Sequence, residues 1–289
     1  MPNKGLLNWA LFILLSLIWG SSFILMKKSA EYLTGWQIGA VRIFAAGLVF
    51  LPFALVHVFR FPLRKLPLVL LSGMLGNLFP AFLFAIAIEK KIASSLAGIL
   101  NSLTPLFVLL IGAVFFKAVL ERRKVTGVLV GLAGLILLSL SRGPVSIEDL
   151  GFTMLILLAT FFYGLNVNLV THYLQGVNPF HMATLSMSMI AIPAGIVAWQ
   201  QNVFSLVLYD EASHWSLVAS ALLGIVGSAI ATALFYVLIK RAGGLFASLV
   251  TYAIPVVSIV WGIWDGEPIT LLQVACLALI LFGVYLAKK

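Results

Sequence analysis

Acidic residues, histidine and cysteine are scarce in this sequence of 289 residues. It contains nine aspartates and glutamates, four histidines and one cysteine, Cys276. A single cysteine excludes an internal disulfide and a cysteine metal cluster, and we expect it to pack as a small apolar side chain. Charged residues of both signs make up only 9% of the chain. This proportion excludes a soluble domain that turns a polar surface to water.

Hydrophobic sequence is abundant instead. Hydrophobic residues make up 62% of the chain and the mean hydropathy is +1.15, which predicts an all-α integral membrane protein. Charge clusters and Gly/Pro turns divide it into ten apolar segments, each near the ~20 residues that a membrane-spanning helix requires. The predicted segments are about Trp9 to Met26, Trp36 to His57, Leu66 to Ile88, Ile92 to Phe116, Val125 to Ser141, Leu150 to Thr171, Pro179 to Trp199, Trp215 to Ile239, Leu245 to Trp264 and Ile269 to Ala287. The first exceeds the apolar core of a signal peptide, so we expect an uncleaved helix.

The distribution of basic residues predicts the orientation. If the amino terminus is cytoplasmic, twelve of the 18 lysines and arginines lie on the cytoplasmic side and five outside, with Arg42 inside the second helix. Both termini are therefore expected in the cytoplasm. The same bias, together with an anionic membrane leaflet, accounts for the net charge of +9, so no nucleic-acid partner is predicted.

Parts of the sequence occur twice. Gly98, Asn101, Ser102 and Pro105 align with Ser248, Thr251, Tyr252 and Pro255, and Ser16, Trp19 and Gly20 align with Thr160, Tyr163 and Gly164. The chain is therefore predicted to be two homologous halves, residues 1–143 and 144–289. Five helices in each half is an odd number, so the halves must cross the membrane in opposite directions. Inverted repeats are typical of alternating-access transporters that hold substrate near the midplane, although duplicated helices also form static bundles.

Polar side chains on the inward stripes predict a substrate pathway. The candidate pathway residues are Trp19, Asn77, Asn101, Ser102, Tyr163, Asn166, Tyr236, Ser248, Thr251 and Tyr252. Small residues on such stripes are also typical of close helix packing, so the amides and large aromatics carry most of the prediction. Aromatic rings beside amides suit a neutral or zwitterionic organic solute.

Arg42 is the costliest residue to place in a membrane. Near the bilayer centre an arginine costs about 2.5 to 3.5 kcal/mol on the insertion scale. One interpretation is an anchor for a substrate carboxylate, because the planar guanidinium makes bidentate contacts. The other is a structural arginine that bonds backbone carbonyls or reaches the outer interface. Lys27, at the outer end of the first helix, is better interpreted as an interfacial residue.

Proline predicts distortions in three of the helices. Pro80, Pro105 and Pro255 lack the amide proton and crowd the preceding turn, so each should kink its helix. The aligned pair, Pro105 and Pro255, are candidate hinges, together with Pro80. A kink without motion is the alternative.

The order of these features along the chain resembles the EamA family of the drug/metabolite transporter superfamily. The resemblance rests on Trp19-Gly-Ser-Ser-Phe23, Arg42, the two proline-bearing copies, and Gly266-Glu-Pro-Ile-Thr270. It implies a multi-pass carrier of the bacterial inner membrane, often an exporter of amino acids or related metabolites. It also implies that helices five and ten are peripheral around a central cavity. The segment before helix five departs from this pattern, because it has Ala118 at the place that matches Gly266-Glu before helix ten.

The first helix also departs from the small multidrug transporters of that superfamily, which carry a glutamate there. By the predicted boundaries all nine acidic residues fall in loops or at helix ends, so no buried carboxylate is available to exchange a proton. We therefore expect facilitated movement driven by the substrate gradient, or weak coupling, rather than antiport of a cationic drug against protons. No catalytic or metal motif appears, and no cofactor is predicted. A non-transporting scaffold and, less favoured, an intramembrane enzyme are the alternatives.

The expected partners are the lipid bilayer and a small-molecule metabolite, with the protein a monomer or a homodimer. Gly127-x-x-x-Gly131 is compatible with a dimer contact and equally with packing inside the chain.

Overall fold

A computed structural model describes residues 4–90, 94–119, 121–140, 150–264 and 270–288. Every regular element within these ranges is a helix, so the predicted all-α class is confirmed. Six described helices are long and apolar enough to cross a membrane: Gly5–Ser29, Gly35–His57, Leu63–Glu89, Gly151–Tyr173, Pro179–Gln200 and Glu211–Ala242. Three shorter apolar helices are Thr104–Phe116, Gly244–Val257 and Val274–Ala287.

The helices are numbered in chain order. They are α1 Lys4–Ser29, α2 Gly35–His57, α3 Leu66–Gly73, α4 Phe79–Glu89, α5 Ser94–Asn101, α6 Thr104–Phe116, α7 Arg122–Leu140, α8 Leu150–Tyr173, α9 Pro179–Gln200, α10 Val203–Tyr209, α11 His214–Leu222, α12 Ala231–Ala242, α13 Gly244–Ser248, α14 Val250–Trp264 and α15 Leu271–Lys288. A π-helical segment, Met74–Leu78, joins α3 to α4, and another, Leu223–Ile230, joins α11 to α12.

Each predicted apolar segment overlaps one helix or two consecutive helices. The predicted ends differ by a few residues, and α1 starts five residues before Trp9. The hydropathy pattern missed α10, because its seven residues are too few to span a bilayer. The predicted boundary between the halves, near residue 143, lies outside the described residues, as do Arg142 and the motif Gly266-Glu-Pro-Ile.

Proline coincides with interruptions of the helices. Pro80 and Pro105 lie in the first turns of α4 and α6, and Pro255 lies inside α14. The chain departs from regular α-helix shortly before each proline, at Met74–Leu78, at 102–103 and at Leu249. Because proline cannot continue the backbone hydrogen-bond ladder, the carbonyl four residues earlier needs another donor.

A serine from the other half supplies that donor for Pro255. The carbonyl of Thr251, four residues before Pro255, accepts a hydrogen bond from Ser102 Oγ at 2.7 Å. Ser102 is fully buried, and its hydroxyl is also 2.9 Å from the carbonyl of Gly98 in its own segment. The freed backbone group is thus satisfied inside the bundle by a contact between the halves.

In the first copy, the donor to the carbonyl that proline leaves free comes from a nearby residue. The carbonyl of Asn101, four residues before Pro105, accepts from Thr104 Oγ1 at 2.6 Å. Both copies therefore satisfy a proline-freed carbonyl with a hydroxyl, but only the second copy takes that hydroxyl from a distant part of the chain.

Helices of the first predicted half pack against helices of the second. α2 packs along α9, α7 along α15, α1 against α14, and α6 against α8. α1 also contacts α11 and α12, whereas α8 contacts α3 and α4. The same set of contacts results when each helix is exchanged for its counterpart in the other predicted half. The counterparts are α1 and α8, α2 and α9, α3–α4 and α11–α12, α5–α6 and α13–α14, and α7 and α15.

The glycine motif of α7 faces the inside of the chain. A Cβ on Gly127 would meet the carbonyl of Gly283 at 2.7 Å, and a Cβ on Gly131 would collide with the ring of Tyr252. Cys276 of α15 is buried, as expected for a packing residue. The close approach of α7 to α15 and α14 thus accounts for the motif without a second chain.

Candidate functional site

A cavity lies at the centre of the bundle and is lined by residues of both halves. It holds about 810 Å³ of space outside the protein atoms, including the part that opens to the exterior. The lining residues belong to α1, α2, α4, α5, α6, α8, α12, α13, α14 and both π-helical segments.

Most of the predicted pathway residues meet at this cavity. The predicted residues that line it are Trp19, Arg42, Asn77, Asn101, Tyr163, Asn166, Tyr236, Ser248 and Thr251. Ser102 and Tyr252 are outside this lining. Ser102 bonds the carbonyl of Thr251, while Tyr252 is fully buried and donates its hydroxyl to the carbonyl of Val128 on α7 at 2.9 Å. Both therefore have packing contacts that account for them.

Arg42 lies on the α2 wall of the cavity and is 8% exposed. Its Nε donates to Ser228 Oγ at 2.7 Å, across the interface between the halves. Gly224 permits this approach, because a Cβ there would collide with the carbonyl of Arg42. No described carboxylate lies within 4.0 Å of the guanidinium. Arg42 is thus a buried cation without an ion-pair partner among the described residues.

Two groups of polar side chains cross-link the cavity wall. Thr232 Oγ1 donates to Asn77 Oδ1 at 2.9 Å. Ser72 Oγ donates to Asn166 Oδ1 at 2.6 Å and lies 2.9 Å from the hydroxyl of Tyr236. These bonds link the third apolar segment, which carries Ser72 and Asn77, to α8 and α12.

Asn101 differs from the other two amides. It is 6% exposed and lines the cavity, yet its Oδ1 has no hydrogen-bond partner among the residues that the structure describes. An unpaired buried acceptor costs about 1–3 kcal/mol, which a hydrogen-bond donor at this position would offset.

Aromatic side chains form the apolar part of the lining. Trp19 packs edge-to-face on Phe235 at 5.1 Å between ring centroids and donates its indole N–H to the carbonyl of Gly227 at 3.0 Å. Phe84 lies 6.1 Å from Phe23 and is stacked at 6.2 Å on Tyr163. An apolar body with a few fixed polar groups is the usual composition of an organic-solute site.

Several lining residues carried no signal in the sequence. Phe23, Met26, Phe84, Val167 and Ile254 line the cavity but match every other apolar residue of their helices. Ser22, Gly76, Thr104, Gly227, Thr232 and Phe235 also line it. Of these, Gly76, Thr232 and Phe235 share inward stripes with predicted residues, which is the pattern that identifies them.

The two π-helical segments occupy matching places in the halves. Gly76 and Asn77 in the first correspond to Gly227 and Ser228 in the second, at a constant spacing of 151 residues, and Gly73, directly before the first, corresponds in the same way to Gly224. Asn77, Gly76 and Gly227 reach the cavity. π-Helical turns are frequent at functional sites, and here they turn small and polar residues inward.

The described carboxylates all lie away from the cavity. They are Glu31, Glu89, Glu121, Asp210 and Glu211, which occupy helix ends and connections. Glu89, for example, accepts from the backbone N–H of Gly35 at 2.8 Å and thereby joins α4 to the start of α2. The remaining acidic residues are Glu148, Asp149, Asp265 and Glu267, which lie outside the described residues. Lys27 is exposed at the end of α1, also away from the cavity.

Comparison with known proteins agrees with this architecture. The sequence profile described as the EamA-like transporter family matches residues 7–140 and 152–288. The chain belongs to the EamA family. It is accordingly a multi-pass membrane protein of the drug/metabolite transporter superfamily, as the sequence features predicted.

Its relatives carry transporter names. An uncharacterized transporter of Archaeoglobus fulgidus is 26% identical over 98% of this chain and 99% of its own. The uncharacterized inner membrane transporter YedA of Escherichia coli is 27% identical over 99% of this chain and 90% of its own. One solved crystal structure covers 97% of this chain and 96% of its own at a TM-score of 0.71 and 19% identity, so it shares the fold.

Proposed function

We propose that this EamA protein is an alternating-access carrier that moves a small organic solute across the bacterial inner membrane. The central cavity carries the proposal, because both halves contribute buried polar groups to it and Asn101 presents an unpaired acceptor there. An exporter or facilitator of amino acids or related metabolites is the activity that the family resemblance favours. The inner-membrane location is supported by the name of the Escherichia coli relative YedA.

Two inverted repeats of five membrane-spanning segments provide the moving parts in this proposal. The family profile matches two ranges, one in each half. The contacts of α1 with α14 and of α6 with α8 exchange when the halves are exchanged. Rocking one repeat against the other would expose the cavity to each side in turn. Pro80, Pro105 and Pro255 are the candidate hinges, since regular α-helix is interrupted near each of them.

Both termini are placed in the cytoplasm in this proposal. The support is the excess of lysine and arginine on that side of the predicted topology. A cysteine introduced next to Lys4 or Lys288 should react with a membrane-impermeant maleimide only after the cells are opened. Labelling of intact spheroplasts from outside would reverse the topology.

Transport is proposed to be driven by the gradient of the solute. No described carboxylate lines the cavity, so the described site lacks an acidic group to exchange protons. Collapse of transport on removal of a pH gradient, with the solute gradient kept, would contradict this part of the proposal.

The decisive experiment is counterflow with purified protein in proteoliposomes. A thermal-shift screen of metabolites, amino acids first, selects the solute. Unlabelled solute inside the vesicles should then accelerate uptake of labelled solute, with saturation, whereas a channel shows non-saturating flux. Asn101→Ala should raise KM several-fold, because Asn101 lines the cavity with an unpaired acceptor.

Gln200→Ala is the matched control for Asn101→Ala. Gln200 is exposed at the end of α9 and lies outside the cavity lining. Its substitution should leave KM unchanged. Equal effects of the two substitutions would contradict the assignment of the cavity as the substrate site.

A further inference from the structure

The charges around the cavity identify the class of solute more narrowly. We infer that the carrier binds a small organic monoanion with an apolar body and a neutral hydrogen-bond donor. Each transported solute then moves one net negative charge across the membrane. The inference rests on the proposed transport function. It replaces the neutral or zwitterionic solute suggested by the residue types alone.

The first step is the unmatched charge of Arg42. Its guanidinium has five N–H groups, and the described residues accept from one, the Nε that bonds Ser228. A buried cation without a counter-ion is strongly disfavoured. A carboxylate entering the cavity would supply the counter-ion and bond the unused side of the fork in a bidentate manner.

The second step is the absence of an anionic partner for a positive group. Of the described residues that line the cavity, none is acidic. A cationic solute would therefore face the positive charge of Arg42 without an opposing carboxylate. The ammonium group of a zwitterion would meet only neutral oxygens and a cation–π contact with the aromatic rings. A solute with one negative charge and no positive charge avoids this penalty.

The third step is the acceptor of Asn101. Its Oδ1 is buried and has no partner among the described residues, and Asn101 lines the same cavity as Arg42. A neutral donor, such as a hydroxyl or an amide N–H, satisfies this oxygen without adding charge. Trp19, Phe23 and Phe84 provide the surface for an apolar body. A hydroxy acid or an N-acylated acid with an aromatic or aliphatic body fits all three features.

Net negative charge has a consequence for the direction of flux. Each transported monoanion moves one charge across the membrane, whatever the charge of the protein. A potential of 100 mV, negative inside, then supports an outward gradient of about 50-fold at equilibrium. A zwitterion or a neutral solute gains nothing from the same potential.

Three probes with one aromatic body test the inference. They are 3-phenyllactate, a monoanion with a hydroxyl; phenylalanine, a zwitterion; and phenethylamine, a cation. We expect saturable counterflow of 3-phenyllactate, weaker flux of the other two, and acceleration of 3-phenyllactate efflux by an inside-negative potassium diffusion potential set with valinomycin. Preference for phenylalanine or phenethylamine, or 3-phenyllactate flux indifferent to the potential, would overturn the inference.

These outcomes separate the inference from the function on which it rests. Saturable, potential-independent transport of phenylalanine would leave the carrier function intact and refute the monoanion. Absence of saturable counterflow for these probes and for the whole metabolite panel would refute the carrier function as well.

Variants of Arg42 and Asn101 add a test of residue roles. Arg42→Gln should raise the KM for 3-phenyllactate about 10- to 100-fold, the equivalent of one lost hydrogen bond to a charged group. Arg42→Lys keeps the charge and should retain part of the affinity. Asn101→Asp adds a negative charge and should shift preference toward phenylalanine and phenethylamine. Gln200→Ala should change neither the KM for 3-phenyllactate nor the order of preference among the probes.

Folding of each variant is checked by its melting temperature in detergent, and only folded protein is reconstituted. If Arg42→Gln does not fold, Arg42→Lys and Asn101→Asp decide the result. An unchanged order of preference in Asn101→Asp, with affinity for 3-phenyllactate retained, would contradict the proposed charge selection.

Discussion

The hydrogen bond from Ser102 to the carbonyl of Thr251 gives a quantitative prediction about how the halves are joined. Both residues are buried, and the 2.7 Å bond reaches a carbonyl that Pro255 leaves without its usual backbone donor. Ser102→Ala removes the hydroxyl and leaves that oxygen unpaired. Losses of this kind cost about 1–3 kcal/mol in water-soluble cores and about 0.6 kcal/mol on average in membrane helices. We expect a loss of about 1 kcal/mol.

A double-mutant cycle isolates this bond from other effects of the serine. Pro255→Ala restores a backbone N–H that can donate to the Thr251 carbonyl within α14. Ser102→Ala should then cost less in the Pro255→Ala background, with a coupling energy of about 0.5–1.5 kcal/mol. Unfolding is measured by SDS titration in mixed micelles. Equal costs in the two backgrounds would refute the proposed role of the bond.

Ser29→Ala is the control for removal of a buried hydroxyl. Ser29 is fully buried, and its hydroxyl donates at 2.8 Å to Leu25 in the same helix. Its cost should be the same with or without Pro255, since no proline-freed carbonyl is involved. If the cost of Ser29→Ala also changed with the residue at 255, the coupling would reflect a general loss of stability of the bundle and not the bond from Ser102.

Three further predictions concern packing and the cavity. Gly131→Ala should destabilise the protein by about 1–3 kcal/mol, because the new methyl group collides with the ring of Tyr252, whereas Gly151→Ala, with open space around it, should be neutral in the same SDS titration. Tyr252→Phe removes the 2.9 Å bond to the carbonyl of Val128 and should lower the free energy of unfolding by about 1 kcal/mol, with the KM for counterflow unchanged. A raised KM at unchanged stability would instead place Tyr252 in the pathway. Asn168→Ala should lower stability without affecting KM, because its amide bonds the carbonyls of Val108 and Gly164 and lies outside the cavity lining.

The sequence predicted much of the architecture because membrane burial leaves a strong signal. A helix must run for about 20 apolar residues to cross the bilayer, so hydropathy located the helical segments and missed only the short α10. The two proline-bearing copies also identified α5–α6 and α13–α14 as parts of the cavity wall. Amide and hydroxyl side chains are costly in lipid, so their positions in the sequence indicated which helix faces lie inside the bundle.

Helical periodicity could not decide between neighbouring residues on one stripe. Asn101 and Thr251 line the cavity, whereas Ser102 and Tyr252, the next residue in each copy, contact other helices. Successive residues in a helix differ by about 100° in direction, and the interruptions at 102–103 and at Leu249 shift this direction further. The side that each residue faces therefore depends on where the helix is interrupted, which local sequence does not determine.

The membrane class and the types of polar group available to a site follow from the sequence alone, because composition and hydrophobic period are local properties, and the repeated pattern predicts an internal duplication. How those groups are paired depends on the tertiary structure. Among the described residues, Arg42 has no counter-ion, the acceptor of Asn101 has no donor, and Gly131 of the glycine motif packs on Tyr252. These outcomes depend on contacts between residues far apart in the chain. The two proline-bearing copies thus share a sequence pattern but differ in the residues that they contact.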